Sequence, residues 1–369
     1  MKLSFQKLFF ILAFLLGVFA IMVFAKAILI PLSMALFISF ILLPVVQKLE
    51  RWGLNKLLAG FLSLLMILMI VGGGITLFSA EIISLSEEVN DFTGKLMNTL
   101  SDVILFINNN VGFIDDLSRD ELVKSGKDWF RQSSGLLIQN AFSSTAVFFT
   151  GLLATIIFTF LFLIYREGLT NAFVSFGSAE NKGKIYRMLK NIQCIGKKYL
   201  FGMLMLVLIL GFASSIGLWI IGIDSPFLFG FLAATLAFVP YIGTVIGATI
   251  PILYAFMRAD SLWTPLAVII LFWVIQIVES NFLSPKIVGR SLNVNALVAI
   301  LSLLVGASMW GIAGMVLFLP FVAILKVICE EFEQLKPIAM LISSDIGDYK
   351  EGEKSSKWIE KIKIRFKKK

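Results

Sequence analysis

Residues 226–256 read PFLFGFLAATLAFVPYIGTVIGATIPILYAF, and residues 280–292 read SNFLSPKIVGRSL. Between them a short apolar span ends at Glu279; after them a Gly-punctuated apolar stretch runs to Pro320. Runs this apolar belong in lipid, yet they are broken by Pro240, Gly243, Gly247, Pro251, Gly306, Gly311 and Gly314. In a bilayer, non-helical backbone survives only where protein or a water-filled cavity satisfies its N–H and C=O groups. Broken helices at membrane depth therefore mark a transport site.

Composition narrows the class. Of 369 residues, 58% are hydrophobic and 15% charged, outside the range of a soluble globular domain. Histidine is absent, which excludes Ser-His and Cys-His pairs and an HExxH zinc site. Cys194 and Cys329 stand far apart and build neither a disulfide framework nor a CxxC metal site. The reading is therefore not an enzyme, with no cofactor and no metal beyond a coupling Na+ or H+. The net charge of +8 sits beside apolar spans, as in cytoplasmic loops, and does not point to nucleic acid.

A helix needs about 20 apolar residues to cross about 30 Å of hydrocarbon. Candidate spans are Leu8–Phe24, Ala27–Val46, Leu57–Ser79, Ala146–Tyr165, Tyr199–Gly222 and Trp263–Val278. Lys2, Lys7 and Ala25-Lys26-Ala27 would also fit a signal peptide, but another span follows at once, which favours a retained helix with Lys26 in a tight turn. Loop charges then set the orientation. Residues 47–56 hold Lys48, Arg51 and Lys56 against Glu50, and residues 165–198 hold seven basic residues against Glu167 and Glu180. From Lys326 onward there are eleven basic residues against eight acidic, whereas residues 80–145 carry ten acidic against five basic. Both termini are thus expected in the cytoplasm, with residues 80–145 outside.

The fold expected is an all-α multispanning bundle of about six to eight crossings. Its regions are the N-terminal helices 1–79, an extracytoplasmic helical insert 80–145, a transport core 146–325 and a basic cytoplasmic tail 326–369. In the insert, Ile82, Leu85, Val89, Phe92, Leu96, Leu100, Val103 and Ile107 form an apolar helical stripe, and a shorter amphipathic stretch lies near Asp120–Phe130. It reads as a hairpin capping the membrane domain or meeting its partners in an oligomer, or else as a docking surface. In the core, parity favours re-entrant hairpins over 226–257, turning near Pro240–Gly243, and over about 295–320. Full spans are the alternative.

The motif residues carry their own chemistry. Pro240 has no N–H, Gly243 suits a turn, and Gly243 with Gly247 lets two backbones approach, either as a path or as packing. Tyr241 brings a hydroxyl to substrate or to an interface. Glu279 closes an apolar span, where a carboxylate must be paired or face water. Its partner would be Lys286 or Arg290, or it lines the path with oxygens from Asn281 and Ser284. Lys286 and Arg290 would otherwise hold an anion or polyol or snorkel to headgroups, and Asp224 and Asp260 read as interfacial.

The ordered set Val239-Pro240-Tyr241-Ile242-Gly243, Gly247, Glu279-Ser280-Asn281, Ser284-Pro285-Lys286, Gly289, Leu303–Gly306, Gly311–Met315 and Pro320 resembles the AI-2E family of bacterial membrane transporters, named for autoinducer-2 exporters. Thr244 and Asn295-Ala296 depart from proline and His-Pro, which are frequent there in the family. The resemblance implies a multi-pass protein of the bacterial plasma (inner) membrane. It implies an ion-coupled secondary transporter exporting a small polar molecule such as a quorum-sensing signal, or a sodium–proton antiporter. A structural scaffold acting through residues 80–145 is the reading from another class. The path would run by Pro240, Tyr241, Gly243, Gly247, Glu279, Asn281, Ser284, Pro285, Lys286, Gly289, Gly306, Gly311 and Gly314. Expected partners are the lipid bilayer, a small polar substrate or cation, and further copies of the chain. The resemblance suggests a pentamer.

Overall fold

The computed structural model describes residues 5–344, apart from residues 75, 77, 80–118, 180, 240–241, 259–260, 262 and 290–291. The insert's apolar stripe lies outside the described residues, as do Pro240, Tyr241, Asp260 and Arg290. Among the described residues the chain is all helix, apart from turns and one isolated antiparallel bridge between Val294 and Ser343. The helices are α1 (Phe5–Phe24), α2 (Lys26–Arg51), α3 (Lys56–Gly74), α4 (Arg119–Ser175) and α5 (Lys182–Ile221). They continue as α6 (Pro226–Leu236), α7 (Ile242–Arg258), α8 (Trp263–Val278), α9 (Ala296–Glu331) and α10 (Lys336–Ile342). Among the described residues six helical stretches are long and apolar enough to cross a membrane, and the chain is a multispanning membrane protein.

Burial runs opposite to that of a soluble protein. Phe14 is 70% exposed and Phe24 87%, while Ser39, Ser63, Thr159, Ser214 and Ser215 are buried. Lipid is as apolar as leucine, so apolar area does not drive helices together here; close approach through small residues does. Buried hydroxyls on α2 and α4 stay satisfied by bonding back to their own helices, Ser39 to Leu36 O at 2.6 Å and Thr159 to Thr155 O at 2.7 Å. Glycines supply the approach: a Cβ on Gly217 would stand 2.7 Å from Leu271 Cδ2, and one on Gly230 2.5 Å from Ser215 N.

The chain forms two compact units, residues 1–169 with 200–288 and residues 170–199 with 289–369. In the first, α2, α3 and α4 bury Leu42, Val46, Ala59 and Leu163 together. Charges close this cluster where α2 ends and α3 begins. Arg166 grips both oxygens of Glu50 at 2.8 and 2.6 Å, and Lys56 donates to Glu167 at 2.6 Å. The Glu50–Arg166 pair is largely buried, and one guanidinium nitrogen reaching both carboxylate oxygens offsets part of the desolvation. Gly53, at φ +96, turns the chain between the two helices with Leu54 N bonded to Leu49 O, a left-handed cap that favours glycine. The far ends of α5, α6, α7 and α8 gather around Leu218, Phe229, Tyr254, Ala255 and Val268.

Several boundaries differ from the sequence reading. The joint between the first two helices is Ala25, not Lys26, and hydrogen bonds run across it from Ala25 N to Ile21 O and Leu29 N to Ala25 O, both 2.9 Å. The basic segment 165–198 is helical except around residues 176–181. The Asp120–Phe130 stretch is no separate short helix; it opens the 57-residue α4. The first arm of the first hairpin, α6, already ends at Leu236, before the expected place, and the second arm, α7, begins at Ile242.

The second hairpin, in the second unit, corrects the expectation more strongly. α9 folds back on itself at Gly311, whose φ of 59° and ψ of −135° no other residue adopts without strain. Residues eight apart on a straight helix are about 12 Å distant, yet Gly306 and Gly314 lie in backbone contact, and a Cβ on Gly306 would sit 3.0 Å from Phe318 Cβ. The returning arm does not stop at Pro320 but continues to Glu331, with Pro320 buried inside it. Proline lacks the N–H that Val316 O would take four residues back. Tyr199 fills that gap: its hydroxyl donates to Val316 O at 3.1 Å. Trp310 on one arm stacks edge-on against Phe318 and Phe321 on the other, at 5.4 and 6.1 Å.

Candidate transport site

The α6–α7 break is built by the residues around Val239-Pro240. A residue before proline is pushed out of the helical region, and the last turn of α6 tightens first. Phe238 N bonds Thr235 O and Val239 N bonds Leu236 O, at 3.1 and 2.9 Å. Gly243 N then donates to Val239 O at 3.0 Å, starting the return arm. A Cβ on Gly243 would overlap the Leu236 carbonyl, and one on Gly247 would stand 2.9 Å from Ala233 Cα. The Gly243–Gly247 pair, read in sequence as either path or packing, is thus the contact that lets the two arms touch.

Beside this break lies a cavity of about 40 Å³, room for a few water molecules. Ala233 and Ala234 of α6, Ala237 just past its end, and Thr244 and Ala248 of α7 wall one side. Leu210 and the buried Ser214 come from α5; Phe272, Ile275, Gln276 and Glu279 come from α8 and the turn that continues it. Glu279 is the only ionisable side chain among these lining residues. Leu206, Leu210 and Ala234 pack with Leu283 and Ile287 as a dry layer of the same unit.

Glu279 stands where the helix changes pitch. Residues Glu279–Leu283 and Pro285–Gly289 form two turns of the wider π-helix, with Ser284 N bonded five residues back to Glu279 O. The wider turn accommodates Pro285, which has no N–H and whose ring would strike the carbonyl four residues earlier in an α-helix. Residues 279–289 are thus a continuous, widened helix and not a break. A Cβ on Gly202 would sit 3.0 Å from Ile287 O, so α5 packs directly on this widened backbone.

The pitch change sets the carboxylate's partners. Gln276 Nε2 donates to Glu279 Oε2 at 2.8 Å, and Ser284 Oγ donates to Oε1. A carboxylate offers about four acceptor positions, so two donors hold its orientation and leave capacity for a cation or proton. Asn281 does not join: its Nδ2 turns back to Ile277 O at 2.9 Å. Lys286 is exposed, and no ion pair joins it to Glu279 among the described residues. Asp224 meets Arg258 at 3.4 Å, at the ends of the chain leading into and out of the hairpin.

Of the candidate residues, Gly243, Gly247, Glu279 and Ser284 lie around this one place. Pro285 and Gly289 shape the widened helix beside it. Gly306, Gly311 and Gly314 belong to the second unit, in the bend of α9. The sequence reading missed Gln276, Ser214 and the cavity-facing place of Thr244. Gln276 left a signal, since it is the sole amide in the apolar WTPLAVIILFWVIQIV and lies three residues before Glu279, on the same helix face. Ser214 left none, because a lone serine in an apolar helix looks the same whether it packs or lines a cavity.

Comparison with known proteins bears on the whole chain. The sequence signature described as AI-2E family transporter matches residues 8–334. YrrI of Bacillus subtilis, whose name gives transport as its presumed role, is 29% identical over 327 residues, covering 84% of this chain and 88% of that protein. The AI-2 transport protein TqsA of Escherichia coli is 27% identical over 322 residues, covering 87% and 90%.

Proposed function

The chain belongs to the AI-2E family of transporters, and on that premise we propose that it is a secondary transporter coupled to an ion at Glu279. One observation carries the reading: a single carboxylate faces a broken helix in an otherwise uncharged cavity. An ionisable group in such a setting is costly to keep without a function. Among the described residues no three Cys, Asp or Glu side chains converge. A cation would therefore rest on Glu279 with neutral oxygens such as that of Ser284, which suits a monovalent ion or a proton.

Likeness to the AI-2 transport protein favours a small polar signal molecule as cargo, carried outward. A cavity of about 40 Å³ is too small for such a molecule as it stands, so α6 and α7 must part to pass it. Ion binding at Glu279, directly beside the break, would bias that movement. Sodium–proton exchange is the second reading, and the same small cavity favours it: Na+ and H+ alternating on Glu279 would need no wider opening.

Protein reconstituted in liposomes, tested with sodium and pH gradients and a panel of small polar metabolites, separates the readings. Gradient-driven flux of a metabolite supports the exporter; sodium–proton exchange without metabolite flux supports the antiporter. Flux unchanged by Glu279→Gln under every gradient would sink both. We place both termini in the cytoplasm at the inner membrane, on the loop charges. Of cysteines placed at Asp115, Gly183 and Ser355, the first alone should then label from outside. We also propose a homo-oligomer, a pentamer, on family likeness; a monodisperse monomer in mild detergent would end that idea.

A further inference from the structure

Ser63, Thr249 and Ser302 each bond back to their own helix, to Gly60 O at 2.9 Å, Val245 O at 2.8 Å and Ala299 O at 2.7 Å. Ser214 does not. It is 2% exposed, it lines the cavity beside the first hairpin's break, and among the described residues no group bonds its Oγ. Its neighbour Ser215 is unbonded too, but it lies against Gly230 and does not line the cavity.

A second oxygen comes from the end of α6. In a continuous helix Phe238 N would donate to Ala234 O, four residues back. The break turns it to Thr235 O instead, at 3.1 Å, while Ala237 N keeps Ala233 O and Val239 N takes Leu236 O. Ala234 O is thus stripped of its partner, and among the described residues no N–H or hydroxyl reaches it. Ala234 is itself buried and lines the same cavity. A buried carbonyl without a donor is costly. At a helix C-terminus such carbonyls project past the end, with the negative end of the helix dipole. The third oxygen is Gln276 Oε1. Gln276 Nε2 donates to Glu279 Oε2, which turns the amide oxygen the other way, and both residues line the cavity.

Three helices therefore supply one carboxylate and three neutral oxygens to a cavity of about 40 Å³. A single full charge suits a monovalent ion, since a divalent one calls for more carboxylates. A proton on Glu279 needs one acceptor and leaves the other three oxygens unanswered. A dehydrated sodium ion takes them in place of its water. Resting on the reading of Glu279 as the coupling carboxylate, we propose that this cavity is a sodium site in which Ser214 Oγ, Ala234 O and Gln276 Oε1 complete the shell. Sodium then ties the end of α6 to α5 and α8 and holds the first hairpin against them.

The test melts the full chain in detergent with sodium, potassium or choline chloride at constant ionic strength. Sodium alone should raise the Tm, saturating with concentration. Ser214→Ala should weaken the sodium affinity read from that curve about 10-fold. Its Tm in choline should match or exceed the parent's, because an unbonded buried hydroxyl costs desolvation and returns no bond. Gln276→Met, which keeps the chain's length without the amide, should weaken the affinity likewise. An equal response to potassium would overturn the proposal. If Glu279→Gln removes the sodium response while Ser214→Ala and Gln276→Met keep it whole, this ligand set fails and the carboxylate's role stands. Flux driven by a pH gradient, with no sodium response in the melt, would also overturn the sodium site while sparing Glu279 as the coupling group.

Discussion

The two hairpins are written with the same residues, glycine and proline in apolar chain, and they solve the membrane's backbone problem in opposite ways. In the α6–α7 hairpin the break takes several residues; Gly243 and Gly247 let the arms touch near the turn, and Phe229 meets Tyr254 at the far end with ring centroids 4.7 Å apart. The polar groups of Gln276, Ser284 and Glu279 then gather beside a cavity. In α9 the break is Gly311 alone; Gly306 and Gly314 bring the arms into backbone contact, and Trp310, Phe318 and Phe321 fill the bend. Proline acts differently too. α6 ends at Leu236, four residues ahead of Pro240 in the sequence, whereas Pro320 stays inside a helix because Tyr199 supplies the donor that its carbonyl partner lost. A broken helix therefore marks a site where its freed groups face water and ions; where the protein itself satisfies them, it marks a clamp.

The largest effect should come from preventing the first hairpin's closure. Gly243→Leu drives a side chain into the Leu236 carbonyl, an overpacking of about 3 kcal/mol. Flux in liposomes should fall at least about 100-fold while assembly in detergent survives. Normal flux would return Gly243 to a packing role.

Next is Glu279→Gln, which preserves shape and removes charge. Hydrogen bonds to a charged group contribute about 1.5–3 kcal/mol, so cation affinity, read from the sodium dependence of flux, should drop about 10–100-fold. The equivalent attack on the second hairpin should leave that dependence alone. Tyr199→Phe orphans the Val316 carbonyl and should cost about 1–3 kcal/mol of stability, seen as a lower Tm in detergent. Pro320→Ala, which restores an N–H four residues on, should recover most of the loss. If it recovers none, the hydroxyl is not the proline's substitute. The smallest change is Asn295→Ala, which removes the cap on Val298 N and the ties to Leu341 and Ser343. It should lower stability by about 1 kcal/mol, and proteolysis near α10 should quicken.

The first hairpin was legible because its punctuation is dense: Pro240, Gly243 and Gly247 fall within eight residues of unbroken apolar chain. The second was legible as a hairpin but not in extent. Pro320 looks like a stop signal, and the donor that overrules it lies 121 residues earlier at Tyr199. Glu279 stood out as a carboxylate closing an apolar span, and Ser284 was read beside it. Lys286 and Asn281 looked equally suitable by type and spacing; the π-turns of 279–289 set the register so that Ser284 arrives and Asn281 turns back to Ile277. Pitch changes of that kind leave only a faint trace in sequence, here Pro285.

Sequence alone determined that this chain lives in lipid and where its first hairpin must break, because hydrocarbon tolerates neither charge nor an unpaired peptide group and both demands are written residue by residue. Its ordered motifs also carried the family. Tertiary structure decided which break encloses a polar cavity and which closes on itself, because the satisfaction of a freed carbonyl or a lone carboxylate depends on donors distant in the chain. Val316 finds Tyr199, and Glu279 finds a cavity wall of alanines, a serine and a threonine that no local pattern announces.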